Sequence, residues 1–173
     1  AGLVIVDSAP ELDARGTTRI SMDTAQNQEP SFSTTSQYEQ MLVHAYPAAT
    51  PRAVRRMAQH GLRESETGDL VLKMDVRMRT AMAADDEDWA KKLAERDERY
   101  REEMWACLGR IQAPTLVVRG AASDIVSAEI ADRMVDEVLP NGKLAVVGQA
   151  GHSVMTDNPE GFAEAVGRFV LGE

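Results

Sequence analysis

The sequence has little of what marks several large classes of protein. One cysteine in 173 residues rules out an internal disulfide framework and fits a reducing compartment. No apolar run approaches the roughly 18 residues that a membrane span needs, so we expect no membrane partner. Lysine and arginine number 19 against 28 acidic residues, and the net charge of −9 disfavours a nucleic-acid partner. These features predict a cytoplasmic protein, with a signal peptide left open because the sequence begins at Ala1 without a methionine.

The glycine-rich loops that bind phosphates are also missing. Neither G-x-G-x-x-G nor G-x-x-x-x-G-K-[ST] occurs in the sequence. A nucleotide-binding α/β domain is therefore the weakest of the functional alternatives, and we predict no cofactor and no metal. The hydrophobic content of 43% and the charged content of 27% are typical of a soluble globular protein of single-domain size.

The order of apolar and polar segments predicts an α/β fold. Leu3–Val6 is a continuous apolar run, of the kind that forms a strand covered on both faces in a parallel sheet. Residues 11–35 are polar without a sustained period and predict a loop with at most one short helical turn. Residues 36–109 predict helices, except that 68–82 stays open: Leu70, Leu72 and Met74 alternate as in a strand, whereas Met74, Met78 and Met82 repeat as in a helix. From Ile111 the pattern becomes strand, helix, strand, helix, which is typical of parallel strands with right-handed crossovers. We therefore predict a partial parallel sheet of about three strands, interrupted by an inserted helical segment.

Two polar residues follow the last two predicted strands. Asp124 comes after the apolar run 115–118, and His152 comes after the run 143–147. Because the carboxyl ends of parallel strands meet at one edge of a sheet, we expect these side chains to lie close together. A carboxylate bonded to one ring nitrogen fixes the histidine tautomer, and the other nitrogen can take a proton from a nucleophile. The pair therefore predicts the acid and the base of a catalytic triad.

Two glycines flank the short segment before this histidine. Gly148 and Gly151 permit a sharp turn. We expect that turn to present His152 at the surface rather than to bury it.

Together these segments resemble the C-terminal half of an α/β-hydrolase. The resemblance lies in Leu3–Leu12, in Pro114–Asp124, in Gly148–His152 and in Asn158–Glu160 with the amphipathic helix that follows. It covers nearly the whole chain, and its motifs are specific to the superfamily but not to one reaction. It implies that residues 1–15 are the sixth strand and its loop, that 16–110 are the helical cap, and that 111–173 are the βαβα part with the acid and the histidine.

The resemblance also implies a function for individual residues. It implies an esterase-like hydrolase acting on a small apolar ester, lactone or related small molecule, with Asp124 as the triad acid and His152 as the base. Asp7 is the alternative acid, because some members of the superfamily carry the acid after the sixth strand. The sequence alone favours a different interpretation of Asp7, as a loop residue that organises the turn before the cap.

The nucleophile of this superfamily is not found. Its G-x-S-x-G elbow does not occur at any serine, and Cys107, on a long predicted helix, is better explained as a small buried hydrophobic residue. We therefore expect the nucleophile in a missing N-terminal half of roughly 100 residues or in a complementing chain, and we expect this chain alone to be inactive. The alternative is a non-catalytic half-domain that acts only by association, with a complementing chain or as a homodimer, through the open edge of Leu3–Val6.

Overall fold

The computed structural model describes residues 1–26, 30–75 and 87–172, with the side chains of all but residues 23–26 and 87–97. The chain divides into two compact units, of which the first comprises Ala1–Thr17 and Asp86–Glu173 and the second comprises Thr18–Asp85. In chain order the elements are β1 (Leu3–Val6), α1 (Ala14–Gln26), β2 (Ser31–Phe32), α2 (Thr35–Ala45), α3 (Pro51–Gly61), β3 (Leu62–Glu64), β4 (Leu70–Leu72), α4 (Glu87–Gly109), β5 (Thr115–Gly120), α5 (Ala128–Arg133) with a π-helical continuation (Met134–Val138), β6 (Gly142–Val147), α6 (Val154–Asp157) and α7 (Pro159–Leu171).

A three-stranded parallel sheet in the order β1–β5–β6 forms the centre of the first unit. β1 pairs with β5 from Leu3 opposite Thr115 to Val6 opposite Val118. β6 pairs with the other side of β5, starting with Gly142 opposite Thr115. The predicted α/β fold with a partial parallel sheet is confirmed, and all three strands end at the same edge.

Side chains of β5 alternate between two apolar clusters, one on each face of the sheet. Leu116 and Val118 pack against α7 on one face. Val117 lies on the other face, where it packs with Leu108 and Met134. Because both faces are covered, the apolar residues of β5 are buried, and each fully buried valine contributes about 1.5–3 kcal/mol relative to an exposed one.

Polar caps fix where several helices begin. The Thr50 hydroxyl accepts from the Ala53 N–H at the start of α3, and the Ser127 hydroxyl accepts from the Ile130 N–H at the start of α5. Asn158 caps α7 in the same way, before a proline at the first helical position. Each cap satisfies an N–H that the helix leaves unpaired and holds the preceding loop in register.

The second unit contains a helix pair and a small antiparallel sheet. The sheet has the order β2–β4–β3, and its buried side chains are Phe32, Leu62 and Leu72. α2 and α3 pack through a second cluster that includes Leu42 and Val54. In the part of the chain that the structure describes, no helix has both the length and the apolar content to cross a membrane.

One secondary-structure prediction is wrong, and another is right only in part. Residues 11–35 were expected to form a loop with at most one short helical turn, but they contain the 13-residue helix α1. Residues 36–109 were expected to be helical apart from the ambiguous stretch 68–82, and the structure forms the strand β4 in that stretch. β3 was not predicted, because a three-residue strand stabilised by its pairing is too short for a periodicity to detect.

The unit boundaries differ from those predicted at residues 15 and 110. The second unit ends at Asp85, and α4 groups with the parallel sheet. Trp105 and Leu108, near the end of α4, pack in the cluster that includes Val117 of β5. Apolar contacts at the end of this helix therefore tie it to the first unit.

Candidate active site

The strand ends bring together one carboxylate and one imidazole. Asp7 follows β1, and His152 lies five residues after β6. Nδ1 of His152 is 2.9 Å from Oδ2 of Asp7. The Asp7 side chain is fully buried, and that of His152 is 40% exposed. The pair thus has a buried acid and an accessible base.

The sequence assigned this contact to Asp124, and the structure gives it to Asp7. The reason is the depth of each residue relative to the edge of the sheet. Asp7 directly follows β1 and still donates its N–H to the carbonyl of Val118 in the ladder. Asp124 lies four residues beyond the end of β5, where its backbone meets Gly16 near the start of α1. Its charge there helps to raise the pKa of the exposed Arg15, whose main partner is Asp13.

The Asp7 carboxylate is held by three donors. Oδ1 accepts from the N–H of Gly120 at 3.0 Å, and Oδ2 accepts from the hydroxyl of Ser123 at 2.6 Å in addition to its contact with His152. A buried carboxylate without such partners would cost several kcal/mol, so these bonds make the burial tolerable. They also fix the plane of the carboxylate.

Asp7 has a φ of 42°, in the left-handed region where residues other than glycine are uncommon and often functional.

Ser123 is a functional candidate that the sequence analysis missed. Its hydroxyl donates to Asp7 and accepts from the N–H groups of Ile125 and Val126, both at 3.1 Å. One donated and two accepted bonds use the full capacity of a hydroxyl group. Ser123 therefore joins the loop after β5 to the acid that follows β1. Its position one residue before Asp124 is the only feature of the sequence that pointed to it.

Arg119 fixes the same loop from its other side. Its Nε donates to the carbonyl of Val126 at 2.7 Å, and its two terminal nitrogens donate to the carbonyls of Ala121 and Ser123 at 3.4 Å each. One guanidinium thus holds three carbonyls that no strand or helix would pair. The loop after β5 is therefore constrained through its backbone carbonyls and through the hydroxyl of Ser123.

His152 reaches Asp7 by crossing the end of the middle strand. β6 neighbours β5 and not β1, so the chain after β6 has to pass over the end of β5. At that point the carbonyls of Ala150 and Gly151 lie against Gly120, and a Cβ on Gly120 would sit 2.7 Å from the Ala150 oxygen and closer still to the Gly151 oxygen. Only a residue without a side chain permits this approach.

The turn before His152 is made by a residue other than the predicted glycines. Gln149 has the positive φ, 54°, and Gly148 has open space where a Cβ would be. The segment is instead held by side chains that follow it. The Asp157 carboxylate accepts from the Gly151 N–H at 2.8 Å, and the Asn158 amide donates to the Gly148 carbonyl at 2.9 Å.

Cys107 and possible metal ligands are the other groups to consider beyond this pair. Cys107 is exposed rather than buried as expected, and its sulfur accepts from the guanidinium of Arg110, which directly follows α4. Within residues 1–26, 30–75 and 87–172, no three His, Cys, Asp or Glu side chains converge as metal ligands would.

Similar solved structures identify the fold. No family model and no curated protein matches the chain. It superposes on an E-2-(acetamidomethylene)succinate hydrolase with a TM-score of 0.74 and 22% identity, over 98% of this chain and 57% of that one. An α/β hydrolase from Novosphingobium aromaticivorans gives 0.68 and 23%, over 99% and 56%. An esterase from Mycobacterium tuberculosis gives 0.69 and 23%, over 99% and 54%.

These superpositions establish the fold of the chain but not its activity. The chain spans little more than half the length of each of the three proteins. Nearly all of this chain is matched, including both units. Over the part that it spans, the chain has the α/β-hydrolase fold.

Proposed function

We propose that this chain is the part of an α/β-hydrolase that carries the acid and the base of a nucleophile–histidine–acid triad. The observation that supports it most directly is the 2.9 Å contact between His152 Nδ1 and the buried carboxylate of Asp7. We assign Asp7 as the acid in place of Asp124. We further propose that the nucleophile is supplied from outside these 173 residues, because no serine of the sequence lies in a G-x-S-x-G elbow.

The geometry supports a defined set of proton transfers. An ionised Asp7 only accepts hydrogen bonds, so Nδ1 of His152 carries a proton and Nε2 presents a lone pair. Nε2 takes the proton of the nucleophile as its oxygen attacks the substrate carbonyl, and Asp7 stabilises the resulting imidazolium. The same proton then passes to the departing alkoxide as the C–O bond breaks. Water repeats the sequence to release the acyl group.

The substrate class rests on both the site and the similar structures. Two of the similar proteins are named as a hydrolase of a substituted succinate and as an esterase. Proton transfer through one histidine suits attack on an ester or lactone carbonyl. Met155, three residues after His152 in the sequence, has an apolar side chain that is 52% exposed. We therefore propose a small apolar ester, lactone or related molecule as substrate.

The test uses p-nitrophenyl butyrate and the coding sequence upstream of Ala1. We expect the 173-residue chain to show no turnover that depends on His152, and we expect the chain extended by its upstream residues to be active. In the extended protein, His152→Ala and Asp7→Asn should each lower kcat by about 10⁴-fold, because the imidazole is lost or held in the wrong tautomer. Asp124→Asn is the matched control and should leave kcat within a few-fold. A larger loss from Asp124→Asn than from Asp7→Asn would refute the assignment of the acid.

The second candidate is a non-catalytic half-domain that acts by association. It is favoured by the edge of β1, which in the described residues pairs with β5 alone and leaves Leu3 38% exposed. An unpaired strand edge is a template for another chain. We expect a dimer of the 173-residue chain, or a complex with a complementing chain, by light scattering. A monodisperse monomer that remains unpaired in the presence of the upstream segment would exclude this candidate.

A further inference from the structure

One face of α3 in the second unit carries three arginines and no acidic residue. Arg52, Arg55, Arg56, Gln59 and His60 are all exposed and line a shallow groove of about 430 Å³. Their spacing of three and four residues places them on one side of the helix. We call these five residues the basic face. It stands out in a chain whose net charge is −9.

The opposite side of α3 holds this face in a fixed direction. Val54 and Ala58 are 3% and 1% exposed and pack in the cluster that joins α3 to α2. Thr50 caps the helix, with Pro51 at its first position. Because the helix is anchored along its apolar side, it cannot rotate its arginines away from solvent. The basic face is therefore presented as a rigid surface.

The charge of this face is not balanced where it lies. α3 contains no acidic residue, so the i,i+4 pairs that usually balance a solvated helix are absent from it. Arg52 and Arg56 are instead like charges at that spacing, and Arg52 lies in the first turn, where the helix dipole disfavours cations. Among the residues that the structure describes, no carboxylate forms an ion pair with Arg52, Arg55 or Arg56. The local arrangement lowers the stability of the free helix and favours an incoming anion.

We infer that the basic face is a docking surface for an acidic helical segment of a protein partner. Arg52, Arg56 and His60 follow one another at intervals of about 6 Å and span about 12 Å along the helix. Carboxylates at every fourth residue of a partner helix repeat at the same interval, so two of them can meet the guanidinium groups of Arg52 and Arg56 and a third can accept from a ring N–H of His60. Guanidinium groups bind carboxylates in a two-bond geometry that lysine does not offer.

Charge and shape disfavour the other anionic occupants. Nucleic-acid affinity is built from many phosphate contacts, and the negative charge of the rest of the chain opposes a long polyanion. The groove is open, so a single phosphate would stay hydrated and bind weakly there. An acidic helix needs only the few aligned charges that this face supplies.

The experiment measures fluorescence anisotropy of labelled peptides with the whole 173-residue chain. The probe is an alanine-rich helical peptide of about 20 residues with glutamate at every fourth position, and its control has the same composition with the glutamates dispersed around the helix. We expect binding that weakens as salt rises, and we expect the aligned peptide to bind several-fold more tightly than the dispersed one. Equal binding of the two peptides would overturn the proposal.

Two sets of substitutions with the same change in net charge test whether the peptide binds at the basic face. The test variant neutralises the basic face by Arg52→Gln, Arg55→Gln and Arg56→Gln. The control variant neutralises three exposed arginines elsewhere by Arg99→Gln, Arg101→Gln and Arg110→Gln. We expect the first to weaken binding about tenfold or more and the second to change it less than twofold.

Several outcomes would overturn the proposal. They are equal losses in the two variants, tighter binding of duplex DNA than of the aligned peptide at the same salt, displacement of the peptide by millimolar inorganic phosphate, and no binding even at about 50 mM salt. Circular dichroism should give the same helix content for all variants, since glutamine is a good helix former. An Arg→Lys version of the test variant retains the charge and should keep part of the affinity.

Discussion

Replacing Ser123 by alanine tests whether this hydroxyl holds the acid in place. The change removes a hydrogen bond to the Asp7 carboxylate and leaves the N–H groups of Ile125 and Val126 without their acceptor. Ile125 and Val126 are buried, at 3% and 0% exposure, so their amides have little access to water. A bond to a charged group is worth about 1.5–3 kcal/mol, and each unpaired buried donor costs about 1–3 kcal/mol. Because Ser123 itself is half-buried, we take the lower ends and expect a loss of about 3.5 kcal/mol.

The assay is urea unfolding followed by tryptophan fluorescence. Both tryptophans, Trp89 and Trp105, belong to the first unit, so the signal reports the unit that contains Ser123. The control is Ser127→Ala, which removes the capping bond to the Ile130 N–H and the hydrogen bond between the same hydroxyl and the exposed Glu129, and which should cost about 1 kcal/mol. Ser123→Thr keeps the hydroxyl and should recover most of the stability. If Ser123→Ala lowers the free energy of unfolding no more than Ser127→Ala does, the three hydrogen bonds of the Ser123 hydroxyl do not stabilise the first unit as expected.

Two further predictions concern the surroundings of the site. Gly120→Ala should destabilise the first unit by about 3 kcal/mol in the same urea assay, because its Cβ would meet backbone carbonyls that cannot move aside, whereas Gly148→Ala, with open space at its Cβ, should be nearly neutral. An equal effect of the two would refute the close approach at Gly120. Arg15 lowers the pKa of Asp13 to about 2 through hydrogen bonds, so the stabilisation from this pair is present above the usual pKa of 3.8 and is lost as pH falls through about 2. Arg15→Gln should return the pKa of Asp13 towards 3.8 in a carbon-detected NMR titration, and an unchanged pKa would exclude the pair as its cause.

The parallel part of the fold was predictable because its signals are local. β5 and β6 are short apolar runs bounded by proline and glycine, and the helices after them begin at Ser127 and Asn158, residue types that favour caps. Such patterns require no knowledge of distant contacts. They placed His152 correctly after β6, at the edge of the sheet where active residues collect.

The elements that were missed depend on contacts between distant residues. α1 has a polar sequence with β-branched residues, and its first turn is fixed by Asp13, whose N–H bonds to the carbonyl of Ile125 in the loop after β5. In the described residues, β3 pairs with β4, and β4 also pairs with the two-residue strand β2. The alternation of Leu70 and Leu72 left β4 open as a strand, but the sequence of β3 carries no trace of its partner.

The sequence named Asp124 as the first choice of acid and Asp7 as the alternative, and it could not tell which of the two contacts His152. Asp7 and Asp124 both follow apolar strands, and adjacency in the sheet favours the strand next to β6, which is β5. Choosing between them requires the depth of each residue at the edge of the sheet and the path of the chain that carries His152. Both depend on the packing of Gly120 against Ala150, which no spacing in the sequence encodes.

The end of the middle strand therefore holds the carboxylate that contacts His152 and does not itself supply that carboxylate. Gly120 lets the chain from β6 pass over β5 and donates its own N–H to Asp7. Ser123 donates a second bond to the same carboxylate, and Arg119 holds the loop in which Ser123 lies. β5 and the loop after it thus meet the site at the Asp7 carboxylate and at the backbone of Ala150 and Gly151. It follows that Ser123→Ala should alter the hydrogen bond between Asp7 and His152 without touching the imidazole, whereas Asp124→Asn should not alter it.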